Sequence, residues 1–253
     1  MTEIDKAALT EFREQGYVVI PGVLDERQVA LGRRVVAAML TAEPPPAGHR
    51  GPFFLWPQFT PPGECGHDHG LLRFYRTSGI ADLAAALLSP DTPPDDPSFA
   101  QLAATIPPWP HRPGGPHVDG ISPPESDGTP GTFSLLAGAW LTDHREPDRG
   151  NLWVWPGTHL RFGEYLAEHG ADALAHLHPD PYPPITLGAP VQVTGPAGSV
   201  LFAHYLLAHN IGGHSGPAGE PMRQVVYYRL QARGHRSRWR SVVTDPLGEF
   251  RSP

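Results

Sequence analysis

A mainly β fold with flanking helices, arranged as a jelly roll or barrel, is what this sequence predicts. Helix-like segments come first, and a run of short strands follows without alternating helices. Those strands are separated by Pro, Gly, Asp or Asn turns. Proline (32) and glycine (28) cluster between apolar runs, which assigns them to long turns around an ordered core. The length of 253 residues suits one such domain spanning 1–253. Within it, 1–98 reads as a helical N-terminal part with a lid, and 99–232 as the jelly-roll core.

Residues 4–15 predict a helix, with Ile4, Ala8, Leu9 and Phe12 on one face and Gly16 as its C-terminal glycine. Tyr17 to Ile20 is a short β-rich run broken by Pro21 and Gly22. Asp25 caps the next helix, and Gln28 completes a capping box. Val29, Val35, Val36, Met39 and Leu40 supply its buried stripe. From Glu43 to Gly70 the periodicity disappears into a Pro-, Gly- and His-rich loop or lid. A short helix follows at 80–88. The expected strands are Leu102–Ile106, Phe133–Thr142, Leu152–Trp155, Ile185–Leu187, Val191–Thr194, Val200–His204 and Gln224–Gln231, with a surface helix over Tyr165–Leu177.

Composition excludes several function classes. With 40% hydrophobic residues a sizeable core is available. The net charge of −7 argues against nucleic acid and anionic membranes as partners. The most basic stretch, Arg229 to Arg240, reads as a solvated edge strand or loop. The single cysteine, Cys65, allows neither an intrachain disulfide nor a cysteine zinc cluster. Apolar runs are too short to span a bilayer, and the N-terminus carries no leader-like pattern. A soluble, cytoplasmic protein is expected, with its oligomeric state unread.

The chemistry is carried by Gly114-Gly115-Pro116-His117-Val118-Asp119-Gly120. On a strand, residues i and i+2 face the same way, so His117 and Asp119 can address one metal ion. A third ligand is available in His209, after the apolar run Val200-Leu201-Phe202. His204 competes with it, but His209 has the better register to the basic residue that follows. Two imidazoles and one carboxylate leave three positions open, which suits iron(II) with a chelating cosubstrate and dioxygen. Closed zinc sites use four protein ligands. The basic residue is Arg223, which opens Arg223-Gln-Val-Val-Tyr-Tyr. A guanidinium inside a barrel needs an anion, and its fork matches a carboxylate. A dicarboxylate chelating the metal at one end would place its other end there.

Three stretches resemble the phytanoyl-CoA dioxygenase family of iron(II)/2-oxoglutarate oxygenases. They are Leu9 to Leu24 at the N-terminus, Asn151-Leu-Trp-Val-Trp-Pro-Gly-Thr-His159 in mid-chain, and Gly198-Ser-Val-Leu-Phe202 followed by His209 and Arg223. The resemblance covers most of the chain in order. It implies a double-stranded β-helix, with His117, Asp119 and His209 as iron ligands and Arg223 as the 2-oxoglutarate anchor. It also implies oxidative decarboxylation to succinate and carbon dioxide, coupled to hydroxylation of an unactivated carbon of a small molecule by O2. Related halogenases carry a small residue in place of the carboxylate, so Asp119 argues for hydroxylation, desaturation or cyclisation. Trp140 has two readings, a wall of the cosubstrate pocket or a core tryptophan. The family's asparagine five residues after the distal histidine is His214 here. His159 reads as structural, and His67, His69, His111 and His144 as loop residues meeting water.

Segments 43–70 and 120–131 are expected to shape the substrate pocket. Phe53, Phe54, Trp56 and Trp109 are either its apolar walls or loop packing. Two other function classes fit less of the pattern. A cupin-like metal-binding protein without oxygen chemistry, or a metal-dependent hydrolase or isomerase, has no use for a dicarboxylate anchor at Arg223.

Overall fold

Residues 4–59, 69–121, 125–177 and 182–252 are described by a computed structural model. Helix α1 (Lys6–Gln15) starts where Asp5 accepts from the Ala8 amide, and it stops at Gly16 in the left-handed region. Its buried face is Leu9 and Phe12. Strand β1 (Tyr17–Ile20) leads to α2 (Glu26–Ala42), which opens with the reciprocal Asp25–Gln28 capping box. Strand β2 (Gly51–Leu55), helices α3 (Gly70–Thr77) and α4 (Ile80–Leu87), and strand β3 (Gln101–Ile106) follow. Next come β4 (Leu135–Trp140), β5 (Leu152–Val154) and α5 (Thr158–His169). Strands β6 (Val191–Gln192), β7 (Val200–His204), β8 (His209–Ile211) and β9 (Arg223–Leu230) precede α6 (His235–Thr244).

The described strands form two antiparallel sheets. The larger has the order β1-β7-β4-β9-β3-β2, and the smaller β6-β5-β8. The architecture is a double-stranded β-helix with flanking helices. Two of the six strands in the large sheet come from before residue 99. The segment read as a lid from Glu43 therefore includes edge strand β2. Its Pro52 is tolerated because β2 is an edge strand.

Strand alternation divides the interior into two cores. One face of the large sheet, with Leu135, Ala137, Val200, Phe202, Val226 and Tyr228, packs on α1–α4 through residues such as Phe12, Val36, Phe74 and Leu83. The other face, with Leu136, Trp140, Leu201, Val225 and Tyr227, meets Leu152 and Val154 of the small sheet. The site lies in this second space. Burial on both faces explains why β4 and β7 read as continuous apolar runs.

Other expectations need correction. Ile185–Leu187 is not a strand. The surface helix begins earlier than expected, at Thr158, and 171–176 is a 3₁₀ turn. Much of the basic stretch is α6, which buries His235, Trp239 and Val243. Among the described residues, no helix is long and apolar enough to cross a membrane.

Candidate metal centre and cosubstrate pocket

The pairing of the 117 segment with β8 brings the first cluster together. His117 and His209 form an isolated antiparallel bridge, with the His117 amide 2.9 Å from the His209 carbonyl. The Asn210 side-chain amide donates to the Gly115 carbonyl and fixes the Gly-Gly-Pro turn beside it. The two imidazole rings have centroids 4.5 Å apart. His117 Nε2 lies 3.5 Å from Asp119 Oδ1, and His209 Nε2 lies 3.9 Å from Asp119 Oδ2. One ligand atom from each of the three residues falls within 4.8 Å of the others.

His209 Nδ1 donates to the Leu207 carbonyl at 2.9 Å, which leaves Nε2 as the free lone pair. Burial and the neighbouring His117 push the His209 pKa down to about 4, although Asp119 opposes them. The ring is therefore neutral at pH 7, the form that binds metal. Burial alone would raise the Asp119 pKa. The His117 hydrogen bond and the nearby His209 and Arg229 outweigh it and hold the carboxyl well below its usual range. An anionic oxygen donor and two imidazole nitrogens on one side of a common point suit iron(II) and leave positions for exogenous ligands.

Arg223 enters from β9. It is 3% exposed, and its Nη2 donates to the Tyr227 hydroxyl at 2.8 Å. Its buried Nε has no hydrogen-bond partner, and no carboxylate among the described residues pairs with it. A desolvated guanidinium with an orphan donor is costly unless an anion arrives. A cavity of about 100 Å³ connects it to the triad, lined by His117, Asp119, His209, Arg223 and Tyr227 among others. The donor set and this free cationic end fit a ferrous ion with a chelating dicarboxylate.

Two glycines make room for Arg223 and its partner. A Cβ on Gly138 would stand 2.7 Å from the Tyr227 ring. Gly150, at φ +83°, faces Arg223 Cδ, and a Cβ there would stand 2.8 Å from it. Gly150→Ala should cost roughly 1–2 kcal/mol for the left-handed backbone alone. It should also raise the KM for the cosubstrate by displacing Arg223. Thermal melting and a cosubstrate titration check the two effects separately.

A second cavity, of about 970 Å³, shares Phe54, Gln101, His117, Asp119 and Ile211 with the first. His117 and Asp119 thus stand where the two meet, and His209 lines the smaller one. Phe54 and Trp56 line the large cavity and remain about two-fifths exposed, at 39% and 43%. Gly120, Ile121, Glu125 and Gly131 line it from the other expected lid. Residues 60–68 and 122–124 of those lids lie outside the described residues. Phe53 packs on the helix-side core, and Trp109 stacks on His111.

The remaining candidates fall elsewhere. His204 donates from Nε2 to the Pro246 carbonyl at 2.6 Å and accepts at Nδ1 from the Leu206 amide at 3.0 Å, so neither ring nitrogen is free. His159 is buried against Gly16 with Nε2 3.1 Å from the Arg13 carbonyl, a structural role. Trp140 is buried, stacks on His144 at 4.7 Å and does not line the small cavity. His144, expected to meet water, is 1% exposed, and His69 caps α3. His67 lies outside the described residues. His214 is buried and accepts from the Gly216 amide.

One member of the basic stretch departs from the solvated role expected for it. Arg229 places Nη2 3.1 Å from Asp119 Oδ2, inside the large cavity and not in solvent. Its signal was parity: Arg223, Val225, Tyr227 and Arg229 occupy one face of β9.

Comparison with known proteins identifies the family and the fold. A family model described as phytanoyl-CoA dioxygenase matches residues 12–221, which include the triad and end just before Arg223. Among curated proteins, none matches the sequence significantly. The fold is shared with the 2-oxoglutarate-dependent carbocyclase SnoK of nogalamycin biosynthesis, 24% identical over 92% of this chain and 90% of that one, TM-score 0.55. It is shared with HygX from Streptomyces hygroscopicus, solved with nickel and 2-oxoglutarate, 16% identical over 90% and 86%, TM-score 0.56. It is also shared with EctD from S. alaskensis, solved with 2-oxoglutarate and 5-hydroxyectoine, 20% identical over 90% and 76%, TM-score 0.55. The chain belongs to the phytanoyl-CoA dioxygenase family of iron(II)- and 2-oxoglutarate-dependent oxygenases.

Proposed function

We propose that His117, Asp119 and His209 hold the iron, that Arg223 binds the distal carboxylate of 2-oxoglutarate, and that a small molecule in the large cavity is hydroxylated. The observation that carries this reading is a buried guanidinium with an orphan Nε, joined by one cavity to three convergent ligand atoms. Bound iron supplies the activation of O2, which oxidises 2-oxoglutarate to succinate and carbon dioxide and leaves one oxygen atom for the substrate carbon. The protein's own task is binding and orientation. His117 and His209 present imidazole nitrogens, that of His209 neutral at pH 7, and Asp119 presents an anionic oxygen. Arg223 and Tyr227 hold the far end of the cosubstrate, which fixes its keto-acid end at the triad. The large cavity brings a substrate C–H bond to the same ligands, between the aromatic walls Phe54, Trp56, Phe99 and Phe133. A cytoplasmic setting belongs to this reading, since a chain with one cysteine depends on no disulfide.

The test is to supply iron(II), 2-oxoglutarate, O2 and a panel of small molecules, and to follow succinate. The expected result is succinate release stimulated by one chemical class, with a product one oxygen atom heavier. A product two hydrogens lighter would mean ring closure or desaturation, and an unchanged mass would mean epimerisation, the reaction of the structurally similar epimerase SnoN. Folded, iron-loaded protein that never consumes 2-oxoglutarate would sink the proposal.

A further inference from the structure

The large cavity contains a cation that the cosubstrate does not need. Arg229 Nη2 holds Asp119 Oδ2 at 3.1 Å, while Oδ1 faces His117 at 3.5 Å. The guanidinium is boxed by Trp56, Phe99 and Phe133, with ring centroids 5.4, 5.6 and 5.5 Å from its carbon. Its side chain and that of Asp119 are each about one-fifth exposed, at 20% and 19%. Its Nε is buried without a partner, and no other carboxylate among the described residues pairs with it. Three ring faces stabilise the cation and also deny it other positions. An ion pair with so fixed a cation restrains the rotation of the carboxylate it faces.

We infer that Arg229 is the positioning residue of the metal-ligating carboxylate. By pairing with Oδ2, which also lies 3.9 Å from His209 Nε2, it holds the carboxylate in one orientation and leaves Oδ1, 3.5 Å from His117 Nε2, as the oxygen Asp119 would offer a metal. This rests on the ligand assignment proposed above. Two physical effects oppose each other at Arg229. A positive charge near the site repels a divalent ion, whereas a held carboxylate is ready to bind it. The inference is that positioning wins, as for other partners that orient metal ligands, whose loss costs about 10–100-fold in metal affinity.

The test is an anaerobic titration of metal-free protein with cobalt(II), reading affinity and the visible ligand-field bands. Metal-free thermal melting confirms the fold of each variant. Arg229→Met should weaken cobalt binding by about 10–100-fold and alter the bands. Arg229→Lys, which keeps the charge and one donor, should fall between that variant and the wild type. It also carries the test should the methionine variant not fold. Unchanged or tighter binding by a folded Arg229→Met overturns the inference, because the residue would then act only as a charge or as packing. Asp119→Ala separates the two levels of the claim: wild-type cobalt binding by that variant would overturn the ligand assignment itself.

Discussion

Asp119→Ala and His209→Ala should each lower succinate formation by more than about 100-fold, because loss of a direct ligand exceeds the 10–100-fold cost of losing a residue that merely orients one. The reason is geometric. His117 and Asp119 come from one turn, but the third ligand arrives only through the β8 bridge, and His209 Nε2 is the ring nitrogen left free there. Two ligands from one turn do not complete the ligand set. His204→Ala provides the contrast. It strips partners from the Pro246 carbonyl and the Leu206 amide, so stability should fall by roughly 1–3 kcal/mol. Activity per bound iron should remain. Iron content, melting temperature and succinate yield, measured on the three variants together, check the contrast. Retained turnover in the His209 variant and loss in the His204 variant would reverse the assignment of the distal ligand.

Arg223→Met should raise the KM for 2-oxoglutarate steeply while leaving the cosubstrate-free protein at least as stable. Losing one partner of a buried, hydrogen-bonded charge pair costs about 2–5 kcal/mol, which is on the order of 30- to several-thousand-fold in affinity. The stability expectation has a separate cause. In the absence of the cosubstrate the guanidinium is desolvated with an orphan Nε, and an apolar side chain of similar length removes that cost. Arg223→Lys should recover only part of the affinity, since a point charge does not reproduce the planar fork. A cosubstrate titration of turnover and a thermal melt read the two effects. A KM within a few-fold of the wild type, or a collapsed fold, would contradict the role given to Arg223.

Much of the fold could be read from local chemistry. The Asp25–Gln28 box and the Asp5 and Gly16 caps fix helix ends within a few residues, so their partners are visible in sequence. Strands β7 and β9 stand out because both faces are buried and their apolar runs are long. Strand β2 was hidden by Pro52, which an edge position tolerates, and α6 by arginines that surround Trp239 and Val243. The spacing of His117 and Asp119 suggested a shared face on a strand, whereas His117 makes only an isolated bridge and Asp119 lies in a turn, and preferring His209 over His204 needed hydrogen bonds made by Pro246, Leu206 and Leu207. Those contacts leave no pattern in the order of residues. Arg229 was misread for a related reason. A charge looks solvated until the pairing of β9 with β3 and β4 shows which face it occupies.

The most direct measurement is an anaerobic titration of the wild-type protein with iron(II) and then 2-oxoglutarate, followed by visible absorption. A weak charge-transfer band that saturates at one iron per chain, and is lost in His209→Ala, is the result this account requires. Iron-loaded, folded protein that binds 2-oxoglutarate without any such band would mean that the keto acid does not chelate the metal, contrary to the roles given to the three ligands and Arg223.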